Sequence, residues 1–210
     1  MAIQIEYRLR QHGWATFALV DGKRRHEGQS GYMGNPIGEL ARAARGWACQ
    51  EGTAYVHFVY EPGALVCRAT CSSEHVRVEL RDEPYGMRDG RGKRFDKRGE
   101  MGTTLFDATE ERATFICRIA ELLHRLWREH GCSGYQARWR GSPFPLADYL
   151  SLRLLVDSSP EAERVRACRR LGESTVGDDL ALLAAPMLPD PAGLYRRALD
   201  DLRSPSPAPE

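Results

Sequence analysis

No stretch of this chain stays apolar for long. A helix that crosses a membrane needs about 18 uncharged apolar residues in a row, and none is present, so a helical membrane span is excluded. Neither sign of charge dominates: 30 basic residues stand against 29 acidic ones, a net charge of +1. Such a chain has no global field to draw it onto nucleic acid or an anionic membrane, and any basic partner surface must be local. Lysine is nearly missing, with three residues (23, 93 and 97) against twenty-seven arginines. That bias reads as composition before it reads as recognition.

Catalytic fingerprints are missing as well. There is no G-x-S-x-G, no H-E-x-x-H and no dinucleotide-binding glycine pattern. The one lysine-bearing glycine run fails the phosphate-loop pattern G-x-x-x-x-G-K-[ST], because position 87 is Met and position 94 is Arg. The opening "MAIQIEYRLR" alternates and carries charge where a secretory signal needs an apolar centre, so a cytoplasmic protein is expected. Six cysteines (49, 67, 71, 117, 132 and 168) sit mostly within apolar patterns and read as reduced core residues instead of a disulfide frame.

What is present is a globular composition. With 210 residues, 42% hydrophobic and 28% charged, the chain can bury a sizeable core and is expected to form one main domain. "IQIEYRL" alternates Ile3, Ile5, Tyr7 and Leu9, and "WATFALV" follows as a second strand ending in the turn Asp21-Gly22. "GNPIGELARAARGWA" places Asn35 as N-cap and Pro36 first in a helix whose inner face is Ile37, Leu40, Ala41, Ala44 and Trp47 or Ala48. A turn at Pro62-Gly63 would set Phe58 opposite Cys67, Val56 opposite Ala69 and Ala54 opposite Cys71. A turn at "SSEH" would set Cys71 opposite Val76, Ala69 opposite Val78 and Cys67 opposite Leu80. The other face then carries His57, Arg68 and Glu79 side by side.

After "TTLFDA", Asp107 with Glu110 offers a capping-box-like start to a long helix reaching Gly131. Phe115, Ile116, Ile119, Ala120, Leu122, Leu123, Leu126 and Trp127 cover more than half its circumference, so it is expected to be covered on two sides. Further helices follow in "FPLADYLSLRLLV", in "SPEAERVRACRRLG" with Ser159 capping and Gly172 stopping, and in "DDLALLAA" and "DPAGLYRRALDDLR". The expected fold is α+β: an antiparallel meander sheet of about six or seven strands packed on a long buried helix, with an additional C-terminal helical layer. Residues 1–156 would form the sheet-and-helix domain, 157–203 a helical extension packed on it, and 204–210 a Pro/Ser tail.

Four groupings could carry chemistry. "GMRDGRGKRFDKRGEMG" gathers Arg88, Arg91, Lys93, Arg94, Lys97 and Arg98, interleaved with Asp89, Asp96 and Glu100. It could grip backbone phosphates or another anionic partner, though charge runs commonly do no more than solvate a loop. Cys67, Cys71 and His75 are zinc-competent by type, but an extended strand holds the two sulfurs roughly 13 Å apart, too far to share a metal. Glu121 and His124 have the spacing of half a dimetal carboxylate site whose remaining ligands are missing, and so read as a surface pair. "HGCSGYQARWRGSPFPL" concentrates His130, Cys132, Tyr135, Arg138, Trp139, Arg140 and Phe144 in what reads as an inter-helix loop. That loop is either a pocket for a carboxylate, phosphate or peptide, or an aromatic plug over the end of the core.

The strings "YMGNPIGELARA", "YEPG" and "GYQARW" followed by "FPL" resemble a loosely defined family of small bacterial α+β proteins, similar in size and layout to the immunity proteins encoded beside bacterial toxins. The resemblance spans about residues 1 to 155, and its motifs are a capped helix, a turn and an aromatic loop. It therefore implies binding and transfers no catalytic residue. The function expected is a non-enzymatic, cytoplasmic protein-binding module, immunity-like or defence-associated, without metal or cofactor. It would use either an exposed sheet edge near residues 23 to 32 or the C-terminal helices. Nucleic-acid or phosphate binding through residues 88–98 and an enzyme pocket within 130–144 are the alternatives.

Overall fold

The computed structural model describes residues 2–22, 24–61, 63–84, 103–171 and 175–203. Three strands open the chain: β1 (Ile3–Leu9), β2 (Trp14–Asp21) and β3 (Arg24–Gly31), antiparallel in that order. Ile3, Tyr7, Ala15, Phe17 and Leu19 point inward, as the two-residue period requires. Helix α1 (Pro36–Cys49) follows, with the Asn35 side chain accepting from the Gly38 amide and Pro36 in the first turn. Its buried face is the one the apolar spacing predicts, with both Trp47 and Ala48 included.

Four more strands form a second antiparallel sheet: β4 (Gly52–Tyr60), β5 (Gly63–Cys71), β6 (His75–Pro84) and β7 (Thr103–Glu111). One continuous meander of six or seven strands is therefore corrected to sheets of three and four strands. The physical reason lies at the strand edges. The His57 amide on β4 donates to Glu39 Oε2 of α1 at 2.7 Å, and the Ile3 amide on β1 donates to Glu110 Oε2 at 3.1 Å while Arg118 bonds the Ile3 carbonyl. At the β4 edge, where β3 would have continued the meander, the Glu39 side chain ends the ladder, and Glu110 and Arg118 close the outer edge of β1. The sheets face each other instead, with Phe17 stacked on Phe58 at 3.7 Å between ring centroids. Gly28 lacks the side chain that would collide with Phe17 and Leu65 there.

The β5–β6 ladder has the expected register, Cys71 opposite Val76, Ala69 opposite Val78 and Cys67 opposite Leu80. The β4–β5 ladder is offset by two residues: Phe58 faces Leu65, Val56 faces Cys67 and Ala54 faces Ala69. Tyr60 pairs with Gly63, so the chain reverses one residue earlier than expected. Moving a turn centre by one residue moves the register by two and leaves every side chain on its expected face. Arg68 does face Glu79, but His57 pairs across from Val66 and bonds Glu39, so the three do not form one row.

Strand β7 runs on through Glu111 because Phe106, Ala108 and Glu110 keep pointing inward with period two. The capping-box expectation is corrected accordingly. Asp107 is a strand residue that holds Arg77 at 2.7 Å, and the long helix α2 (Arg112–Trp139) starts without a side-chain cap. Its apolar face is buried as expected, against β1 on one side and α1, α3 (Leu146–Val156) and α6 (Pro191–Arg203) on the other. Two further helices, α4 (Pro160–Leu171) and α5 (Val176–Ala184), complete the described chain. Ser159 Oγ accepts from the Ala162 amide as the expected cap, and Gly172 lies outside the described residues. Helix α5 begins with a capping box between Thr175 and Asp178. No helix of the described residues is long and apolar enough to cross a membrane.

Candidate functional site

At one end of the molecule three connections converge: the β1–β2 turn, the β3–α1 link and the end of α2. The Gly13 amide donates to the Arg138 carbonyl at 2.8 Å, and a side chain at Gly13 would strike Tyr32 and the Trp139 carbonyl. One at Gly141 would strike the Tyr32 carbonyl. Each connection is thus held against the next by main chain, which is a rigid way to present side chains.

Backbone conformation marks the same place. Among the described residues, the non-glycine residues with positive φ are His12 (60°) and Arg140 (64°), and Gly13 (78°) joins them. A non-glycine residue in this region costs on the order of 1–3 kcal/mol and persists where the surroundings over-determine it. Two of them at one junction make it the most strained part of the described chain.

Around this backbone lie three large apolar side chains in solvent: Trp14 is 38% exposed, Tyr32 54% and Met33 51%. Arg10, His12, Arg138 and Arg140 are exposed with them. Aromatic residues, methionine and arginine are the types enriched at the centres of protein interfaces. Sequence reasoning did not single out Trp14, Tyr32 or Met33. The signal for Trp14 was nevertheless legible: Ala15, Phe17 and Leu19 point inward, so the period of two turns Trp14 onto the opposite face of β2, at its start.

Of residues 130–144, expected as one inter-helix loop, those up to Trp139 continue α2, and 140–144 lie in the loop that leads to α3. The chain leaves helical geometry at Gly131 (φ 60°, ψ −174°), then resumes the helix to Trp139, with Arg140 closing it in the left-handed conformation. Tyr135 and Trp139 are fully buried, and Phe144 meets Tyr135 edge-on at 5.5 Å and Tyr149 at 5.8 Å. His130 and Cys132 are half-buried, and burial lowers the His130 imidazole and raises the Cys132 thiol. Of this set, Arg138 and Arg140 reach solvent at the three-connection junction while Tyr135 and Trp139 support it from below. Arg88, Arg91, Lys93, Arg94, Lys97 and Arg98 lie outside the described residues.

Elsewhere the titratable groups are occupied by structure. Cys67 is buried and its thiol is pushed up to about 12 by burial alone, and Cys117 is raised to about 12 by burial first and then by Glu121, which leaves neither a ready nucleophile. Among the described residues no three His, Cys, Asp or Glu side chains come close enough together to hold a metal ion. His124 Nδ1 meets the Tyr149 hydroxyl at 2.7 Å and has Arg153 nearby, so it belongs to a buried seam and not to a surface pair with Glu121. Glu121 instead lines an open cleft of about 770 Å³ between β1 and α2, shared with Glu6, Arg8, Arg118 and Arg125. The cleft carries charges of both signs: Glu6 lies 3.9 Å from Arg8 within it, and a bond from Arg25, outside the cleft, draws the Glu6 carboxyl below the usual range.

No protein-family model matches the chain, and no curated protein is found similar to it. Among solved structures, a chain of the "CdiA-CT/CdiI toxin and immunity complex from Enterobacter cloacae" is similar at a TM-score of 0.36 and 10% identity, covering 58% of this chain and 97% of that one. A likeness of that degree carries no functional argument.

Proposed function

We propose that this chain is a non-enzymatic protein-binding module and that its docking face is the junction of the three connections. The observation that carries this reading is the exposure of Trp14, Tyr32 and Met33 together on backbone held in a strained, closely packed arrangement. Side chains carried on a fixed backbone need no loop ordering on binding, and tryptophan, tyrosine and arginine contribute most of the affinity at interfaces. Of the two surfaces the sequence suggested, this one adjoins the first: it lies at the Gly31 end of β3. In this reading residues 1–156 build the docking face and 157–203 brace it from behind. A cytoplasmic, immunity-like role, with the bound protein a toxin, is the specific form that the sequence resemblance implies.

Affinity capture from native lysate after nuclease treatment, at moderate salt and with mass spectrometry, tests the reading. One stoichiometric protein should be retained by the wild-type chain and lost with the double variant Trp14→Ala/Tyr32→Ala, whose melting temperature should match the wild type. Equal retention by the variant would move the docking face elsewhere, and recovery of no protein would remove the binding reading itself.

A further inference from the structure

We infer that the partner presents an acidic surface to this junction: carboxylates for Arg10, Arg138 and Arg140 around an apolar side chain seated among Trp14, Tyr32 and Met33. The inference rests on the protein-binding reading above and specifies the chemistry of the partner.

Its first support is a local absence of acid. The segments that meet at the junction, residues 7–20, 28–38 and 130–147, contain no aspartate or glutamate, in a chain that has 29. Three carboxylate-free segments thus meet at the junction, with Glu6 and Glu27 lining the groove beside Arg10 and Glu129 standing next to His130. The second support is the state of its arginines. Many arginines elsewhere in the fold are taken up by carboxylates, among them Arg25 by Glu6, Arg77 by Asp107, Arg118 by Glu110, Arg153 by Asp157 and Arg197 by Asp190, although among the described residues the exposed Arg42 and Arg196 are not. Among the described residues no carboxylate pairs with Arg10, Arg138 or Arg140, and all three are exposed.

A guanidinium presents a planar fork of donors that matches a carboxylate with two parallel bonds. Arg138 and Arg140 bracket the buried Trp139, so their backbone is anchored by the core and their forks are carried on a fixed base. Nucleic acid is the weaker fit. Its affinity grows with the number of phosphates neutralised, and three arginines without a lysine form a short track, whereas three apolar anchors ringed by arginine match a protein interface.

The test selects binders from a random displayed peptide library against the immobilised full chain at physiological salt. Selected peptides should be enriched in Asp and Glu beside an aromatic or aliphatic residue. A selected peptide should bind Arg138→Glu/Arg140→Glu about tenfold or more weakly, as expected when hydrogen bonds to charged groups are lost. Selection repeated against that charge-reversed variant should return basic peptides, and Arg138→Gln/Arg140→Gln serves as the milder variant if the reversal perturbs folding. Peptides without acidic enrichment, or peptides that bind the reversed variant equally well, would overturn the inference. So would binding of a labelled DNA duplex or single-stranded RNA that depends on these arginines. Loss of peptide binding on Trp14→Ala/Tyr32→Ala but not on arginine reversal would leave the protein-binding reading standing and remove only the acidic partner.

Discussion

Arginine is the residue that holds this molecule together. Arg112 is buried at the start of α2 and donates to the carbonyls of Trp47 and Gln50 at the end of α1 and of Ser72 and Ser73 in the β5–β6 turn. Arg197 Nε reaches the Leu155 carbonyl at the end of α3, and Arg166 reaches those of Leu154 and Asp157. Arg153 is fully buried, pairs with Asp157 at 2.8 Å and donates to Ala185 and Pro186 at the end of α5. Helix C-termini expose unpaired carbonyls at the negative end of the helix dipole, and an arginine fork answers both features. Asp157 completes that knot by accepting from Ser159 and the Leu188 amide. Asp157→Ala strands a buried cation and should cost about 3–5 kcal/mol in urea denaturation. The double variant Arg153→Leu/Asp157→Leu should be less destabilised than the single, since no lone charge remains inside. In the sequence the arginine excess read as composition, because the carbonyls these side chains cap lie far away along the chain, 65 residues in the case of Arg112 and Trp47.

The elements follow from local pattern, and they depart from it where a tertiary contact competes. The α1 cap, the inner face of α2 and the β5–β6 register were all legible, because each is fixed within a few residues by a cap, a 3.6-residue period or a tight turn. The extent of β7 was not: a capping signal at Asp107 lost to continued pairing with β6 and to the use of Asp107 and Glu110 as ion-pair partners across the fold. The far end of α2 is the second departure. Its helix was expected to stop at Gly131, and Gly131 does leave helical geometry, but the chain takes up the helix again because Tyr135 and Trp139 bury completely when it does. The conformation at Gly131, φ 60° and ψ −174°, is one that only glycine adopts readily. A Cβ there meets nothing within 4 Å, so Gly131→Ala tests backbone conformation without steric interference. It should destabilise by about 1–3 kcal/mol in chemical denaturation. A neutral result would mean that the kink tolerates another geometry, and that the conformation of Gly131 is not what carries Arg138 and Arg140 to the junction.

At the scale of the whole molecule, two sheets, a central helix and part of the C-terminal helical layer share one apolar core, a smaller cluster of Leu154, Ala162, Val165 and Leu182 lies among α3, α4 and α5, and a polar seam runs between α2 and α3. His124 sits in that seam against Tyr149 and Arg153 of α3, with Arg128 on its own helix and Asp157 beyond. Burial, then Arg153 and Arg128, lower its imidazole below the ordinary 6.5, while Asp157 acts the other way. A histidine whose folded value is depressed contributes stability that is complete above the unfolded value and is lost as pH falls through the folded one. Stability measured from pH 7 downward should therefore decline, and His124→Gln should decline less steeply. Identical slopes would show that the seam does not titrate. The comparison with the variant separates this effect from that of Glu110, whose buried carboxyl is raised and whose contribution is instead lost as pH rises through its folded value. By itself the sequence determined the α+β class, the antiparallel pairing, the identity of most core residues and the lack of any catalytic fingerprint, because periodicity, caps and turns act between neighbours in the chain. Only the tertiary structure decided that the strands divide into two sheets, that arginines seal the helix ends, and that the segments carrying Trp14, Tyr32, Met33, Arg138 and Arg140 meet at one junction. Each of those outcomes depends on residues brought together from distant parts of the chain, and no local pattern encodes which of them will meet.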